Sequence, residues 1–270
     1  MRRFAEAARG APYDPYDPAL NAEVLVRSEL PELYRESETA WLKKWALLHE
    51  VEMTEQKTPA AVEFWLERLS LAGAEIAKLS ALKSYRRRSC RRYLVERAAR
   101  PYSWKVLDVG TPVFAQKVDD IRARVRQFAM PPKSLLDDAD LLRLMGVVCE
   151  FVSAAPGPKP HRYQLTFHLM LTEAEARGSK PAPEGVHQDG ANYIVSALVL
   201  ERENVIGGES HVLLNRDGPA AIESIQLAEG QGLLQSDIDH DLWHGVTKIS
   251  RLDPEIPGHR SILGLDIDYL

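Results

Sequence analysis

Cysteine is scarce in this protein: Cys90 and Cys149 are the only two in 270 residues, far apart and with no C-x-x-C pair. That excludes a disulfide framework and a thiolate zinc site, and it makes a reducing cytoplasm the expected setting. Long apolar runs are missing too. No stretch approaches the roughly eighteen consecutive apolar residues of a membrane span. The first residues carry Arg2, Arg3 and Glu6 where a secretory leader would need an apolar run, so neither secretion nor membrane insertion is expected. A basic excess is absent as well, with 34 Lys and Arg against 39 Asp and Glu, a formal charge of −5 and a pI near 5.9. Nucleic-acid proteins normally present a dominant positive field. The expected partner is therefore a small molecule, not a nucleic acid or a membrane, with self-association as a homodimer left open. No Gly/Ser linker, internal repeat or low-complexity segment interrupts the sequence.

A polypeptide of this length can bury a full core as a single domain. Residues 1–270 read as one unit, with a helical N-terminal extension over 1–80 and a β-rich core over about 85–270. Pro12–Pro18, PYDPYDP, reads as an extended arm, since each proline disfavours helix at the residue before it. Trp41, Trp45, Leu48 and Met53 form a helical stripe over Ser37–Met53, and Thr58-Pro59 opens a second helix through Leu79. A third helix is expected over Asp119–Met130, stopped by Pro131-Pro132. A fourth covers Asp138–Ser153, with Asp137, Asp138 and Asp140 favourable near its N-terminus. Strand patterns then dominate: His161–Leu171, Tyr193–Glu201, His211–Asn215, Gln231–Gln235, Val246–Ser250 and Arg260–Leu270, separated by Gly, Pro and Asp clusters. The basic run Tyr85–Tyr93, YRRRSCRRY, reads as a strand whose arginine stems lie along a sheet. The fold class is α+β, mainly β: a double-stranded β-helix (jelly-roll or cupin-like) barrel with helices packed on the outside of one sheet. The loop Thr172–Pro183 is a candidate lid at its mouth.

Within that frame Pro183–Asn192, PEGVHQDGAN, is the most informative segment. Residues two apart on a strand share a face, so His187 and Asp189 can aim imidazole and carboxylate at one point. This is the spacing of the first two ligands of a mononuclear iron(II) site, which needs two His and one carboxylate on one octahedral face and leaves the other face open. His244, 55 residues on in DLWHGVTKI, is the candidate third ligand. His240, four residues earlier, lies among acidic neighbours in DIDHDL and reads as part of an exposed turn. Arg260 opens the last strand 16 residues after His244. Its planar fork can hold the distal carboxylate of 2-oxoglutarate bidentately, which lysine cannot do.

PEGVHQDGANYIVSALVLERENVIGGES at Pro183–Ser210, LWHGVTKI at Leu242–Ile249 and Arg260 together resemble the 2-oxoglutarate-Fe(II) dioxygenases that include free L-isoleucine hydroxylases. The likeness is strongest from about His161 onward. It departs at Ser261, where an acidic residue is frequent in the family, and at Gln188, where a basic residue is common. The resemblance implies Fe(II) at His187, Asp189 and His244, 2-oxoglutarate at Arg260, and O2 as oxidant. It further implies oxidation, most simply hydroxylation, of an unactivated C–H bond on the side chain of a free aliphatic L-amino acid. Desaturation or ring closure is the alternative outcome of the same iron chemistry; a cupin-like hydrolase or isomerase could use the same triad but gives Arg260 no role. On the polar face of the His161–Leu171 strand, Gln164, Thr166 and His168 are candidates for orienting substrate or cosubstrate. Asn192, just past the metal motif, could reach the open coordination face, and one of the arginines in Arg86–Arg92 could hold a substrate carboxylate.

Overall fold

Alternation and turn residues mark most of the strands that form. This is a computed structural model, and it describes residues 1–14, 85–99, 103–110, 113–114, 126–176, 178–182, 184–216, 221–238 and 242–270. The helices expected over Ser37–Met53 and from Thr58 to Leu79 fall outside these residues, as does most of the PYDPYDP arm. Residues 1–14 and 85–270 form one compact unit.

In order, the unit contains α1 (Arg2–Gly10), β1 (Arg86–Arg97), β2 (Trp104–Gly110), β3 (Val113–Phe114), β4 (Arg126–Gln127), α2 (Lys133–Leu136) and α3 (Ala139–Ala154). There follow β5 (Arg162–Glu173), β6 (Tyr193–Glu203), β7 (Val205–Gly207), β8 (Ser210–Leu213), β9 (Glu223–Ile225), β10 (Gly232–Ser236), β11 (Trp243–Val246), β12 (Ile249–Arg251) and β13 (His259–Tyr269). The large sheet is antiparallel with strand order β10-β6-β13-β5-β1-β2. The smaller layer pairs β11-β8-β9 and β12-β7. The fold is mostly β, antiparallel and jelly-roll-like. Hydrogen bonding among the described residues shows these sheets, and no closed barrel among them.

Alternation along β5 produces two unlike faces. Tyr163, Leu165, Phe167, Leu169 and Leu171 join Leu263, Leu265 and Ile267 of β13 against Phe4 and Ala8 of α1 and Leu141, Met145, Val148 and Val152 of α3. Full burial of each such large apolar group contributes about 1.5–3 kcal/mol, so this outer face is the main core and the helices are its cover. Asp138 caps α3, its carboxylate accepting from the Asp140 and Leu141 amides at 3.0 and 3.2 Å. Arg3 donates to that same Asp138 at 2.6 Å and so ties α1 to the cap.

The opposite face is polar. Arg260, Ile262, Gly264, Asp266 and Asp268 of β13 stand in register with Thr172, Met170, His168, Thr166 and Gln164 of β5. Those pair in turn with Arg86, Arg88, Cys90, Arg92 and Leu94 of β1. A small apolar cluster on this side, Ala197, Val199 and Leu227 with Ile225, Leu233 and Ile262, packs the large sheet against β9.

Three expectations change. The helix over Asp119–Met130 does not reach its expected end, because Arg126–Gln127 pairs with Val113–Phe114 and Ala129 accepts the Cys90 amide at 2.9 Å. Met130 precedes Pro131, which disfavours helix there in any case. Val246–Ser250 divides into β11 and β12 at Thr247-Lys248, opposite Gly207 and Gly208 at φ +76° and +71°. Thr172–Pro183 is pinned at several points: Thr172 and Glu173 extend β5, the Ala174 amide bonds Gly258, and Ser179 exchanges both backbone bonds with Ile249. No helix among the described residues is long and apolar enough to cross a membrane.

Candidate functional site

Backbone pairing brings the two histidines together. The His187 amide donates to the His244 carbonyl at 2.8 Å and the His244 amide returns the bond at 2.9 Å, so the segment carrying His187 adds to β11 as an antiparallel neighbour. The close approach uses Gly245, where a Cβ would stand 3.3 Å from Val186 Cγ2. The ring centroids lie 4.1 Å apart. His187 Nδ1 donates to the Gly185 carbonyl at 2.8 Å, which fixes the tautomer and turns Nε2 toward Asp189. The Asp189 carboxylate sits between the rings, Oδ1 3.6 Å from His187 Nε2 and Oδ2 3.5 Å from His244 Nε2.

One ligand atom from each of the three residues lies within 4.8 Å of the other two. Donors on one face of an octahedral ion with bonds of about 2.1 Å stand roughly 3 Å apart, so a small inward rotation of the three groups suffices for a divalent cation. Two imidazoles and a carboxylate suit iron, and a backbone carbonyl orienting a ligating histidine is the usual supporting contact. Glu184 also approaches, its Oε1 3.4 Å from His187 Nε2.

The turn after Asp189 is held by a residue that no sequence motif singles out. Asp237 Oδ2 accepts from the Gly190 and Ala191 amides at 2.7 and 3.2 Å. Burial, followed by the charge of Asp189, pushes the Asp237 carboxyl up to about 7. The exposed turn expected for DIDHDL is thus wrong at its first residue, which is fully buried. Asp239, His240 and Asp241 lie outside the described residues. The missing signal was the long-range pairing of Asp237 with the metal loop.

The four candidate substrate residues have different surroundings. His168, 2% exposed, contacts Asp266 Oδ2 through Nε2 at 2.9 Å and Arg88 Nη2 through Nδ1 at 3.2 Å. Thr166 is buried on the same face between Asp266 and Arg92. Gln164 is half-buried at the far end of that face, opposite Asp268 and Leu94. Asn192 accepts from the Tyr269 amide through Oδ1 at 2.8 Å, which anchors the end of β13 beside the metal loop. Gln235 of β10, unmarked by any motif, continues the row through Ile194 to Asp266; its amide is buried and neither polar atom has a hydrogen-bond partner among the described residues.

Arg260 is 3% exposed, and its Nε and Nη2 lack partners among the described residues. Those two nitrogens form one edge of the guanidinium, the fork that accepts a carboxylate side-on. Burial, helped by the neighbouring charge of Arg202, brings its pKa down to about 10. A buried cation whose paired donors are unspent fits the carboxylate of a dicarboxylic cosubstrate.

Comparison with solved structures finds the same fold at low identity. A BsmA homologue from Methylobium petroleophilum matches with TM-score 0.58 and 22% identity over 69% of this protein and 73% of its own length. IDO from Bacillus thuringiensis matches with TM-score 0.55 and 18% identity over 83% and 98%. The Fe(II)/α-ketoglutarate-dependent dioxygenase TqaL aligns at 16% identity and TM-score 0.48, covering 94% of this protein and 90% of its own length. No curated protein sequence matches. The family model for 2OG-Fe dioxygenases, by contrast, matches residues 76–266, which include every residue of the triad and Arg260. The protein belongs to the 2OG-Fe dioxygenase family, enzymes that use Fe(II), 2-oxoglutarate and O2.

Proposed function

We propose that this enzyme oxidises an unactivated C–H bond on the side chain of a free aliphatic L-amino acid, with hydroxylation the expected outcome. Iron is held by His187, Asp189 and His244, and the distal carboxylate of 2-oxoglutarate by Arg260. The observation that carries the metal assignment is the mutual backbone pairing of His187 and His244 with the Asp189 carboxylate between their Nε2 atoms. Bound together, Fe(II), 2-oxoglutarate and O2 supply an oxidative decarboxylation to succinate and CO2 coupled to oxidation of a C–H bond.

The residues around the triad bind and orient. The Gly185 carbonyl holds the His187 tautomer, Asp237 fixes the loop behind Asp189, and the buried polar wall restricts where a substrate carbon can stand. That wall supports a small zwitterionic substrate. It carries Asp266, suited to an α-ammonium, and the arginines Arg88 and Arg92, suited to an α-carboxylate, on the same face. The net acidic sequence offers no broad basic surface for a polymeric anion.

The test is 2-oxoglutarate consumption with Fe(II) and ascorbate across the twenty amino acids, read by succinate and product mass. An aliphatic amino acid should stimulate turnover and gain 16 mass units with one succinate formed; a loss of 2 would indicate desaturation or cyclisation. Turnover stimulated by a peptide, nucleobase or lipid, and by no free amino acid, would refute the substrate class and leave the iron chemistry in place.

A further inference from the structure

Arg260 has a cationic neighbour in the same condition. Arg202 of β6 is its cross-strand partner, so both residues leave the polar face of the large sheet side by side. Arg202 is anchored through Nη2, which donates to the Gly207 carbonyl at 2.6 Å, while its Nη1 is buried with no partner among the described residues. Gly208 lies against both. A Cβ there would stand 3.2 Å from Arg260 Cδ and 3.3 Å from Arg202 Nη1. Among the described residues, no carboxylate forms an ion pair with either guanidinium. Glu229 accepts from the Arg202 backbone amide, but it is itself exposed.

A half-buried guanidinium set beside a fully buried one is a costly pairing of like charges unless an anion joins them. Burial lowers the pKa of both arginines. A carboxylate has two oxygens and about four lone-pair sites, so the fork of one arginine leaves acceptor capacity for a second donor. We propose that Arg202 is a second cosubstrate-binding residue: its Nη1 shares with the Nε/Nη2 edge of Arg260 the distal carboxylate of 2-oxoglutarate. This rests on the assignment of Arg260 above. Gly208 has a double role here. It supplies the positive φ of the turn, and its missing Cβ lets the two arginines converge.

The test uses the 270-residue protein loaded anaerobically with Fe(II), with keto-acid affinity measured by calorimetry. The probes are 2-oxoglutarate and 2-oxobutanoate, which chelates the metal in the same way but has no distal carboxylate. Arg202→Gln should weaken 2-oxoglutarate about ten- to a hundredfold, the typical worth of a hydrogen bond to a charged group, and leave 2-oxobutanoate unchanged. Arg202→Lys should recover part of the loss. Arg202→Gln combined with Arg260→Gln should lose less than the product of the single effects, because both donors serve one carboxylate. Equal weakening of both keto acids, or of neither, would overturn the proposal while leaving Arg260 in place. An Arg260→Gln variant with unchanged 2-oxoglutarate affinity would instead remove the Arg260 assignment, and the proposal with it.

Discussion

Replacing Arg260 by methionine should move two measurements in opposite directions. Methionine keeps an unbranched apolar stem between β5 and β6 and deletes the guanidinium. Arg260 is 3% exposed and its Nε and Nη2 have no partner among the described residues, and a buried group left unsatisfied typically costs about 1–3 kcal/mol. Removing it should therefore raise the melting temperature of the metal- and cosubstrate-free protein, at roughly 2–4 °C per kcal/mol for a protein of this size. With Fe(II) and 2-oxoglutarate the sign reverses. Truncating one partner of a buried charged pair typically costs about 2–5 kcal/mol, which is roughly thirtyfold to several thousandfold in affinity. The assay is differential scanning fluorimetry of the apo protein beside anaerobic calorimetric titration of the Fe(II) protein. A fall of several degrees in apo melting temperature with unchanged 2-oxoglutarate affinity would refute the reasoning. It would mean that the guanidinium serves the fold rather than a ligand.

Gly208→Ala should cost about 1–2 kcal/mol of stability from its left-handed backbone and crowd Arg260 and Arg202, raising the 2-oxoglutarate KM; a destabilised variant with normal KM would show that the cradle has slack. Asp266→Asn should keep the contact with His168 but raise the KM of the proposed amino-acid substrate, leaving slow substrate-free 2-oxoglutarate turnover unchanged, and equal loss of both activities would remove Asp266 from substrate binding. Arg91 meets Asp108 through two contacts of 2.7 Å and holds its carboxyl below the usual range. A depressed carboxyl stabilises the fold above its unfolded pKa and loses that contribution as pH falls through the folded value. Arg91→Ala should accordingly lower the melting temperature at pH 7 and narrow its difference from wild type below about pH 4; a pH-independent difference would contradict this.

The candidate constellation is more legible than its surroundings because its signals are local. The two-residue step from His187 to Asp189, the apolar-polar run after His244 and the strand opened by Arg260 each stand on a few adjacent residues. The two faces of β5 were equally plain, since alternation of Tyr163, Leu165, Phe167 and Leu169 with Gln164, Thr166 and His168 needs no partner to be seen. What depended on distant pairing was hidden. In YRRRSCRRY the register with β5 places Arg88 and Arg92 on the polar face, and only the pairing of Arg88 with Met170 and Arg92 with Thr166 shows it. Asp237 reads as solvated among acidic neighbours, yet the Gly190 and Ala191 amides, far back in sequence, make it a buried acceptor. Arg126–Gln127 is a strand only because Val113–Phe114 lies beside it. Nothing in the local sequence ERE marks Arg202, and only the pairing of β6 with β13 sets it next to Arg260.

Iron binding by His187, Asp189 and His244 is tested most directly by anaerobic Fe(II) titration, followed by calorimetry, of the metal-free protein and its alanine variants. One Fe(II) per protein molecule should bind to the wild type and to His240→Ala, and specific binding should be lost in His187→Ala, Asp189→Ala and His244→Ala, with each variant's circular dichroism unchanged. Wild-type iron affinity in His244→Ala, together with its loss in His240→Ala, would contradict the assignment.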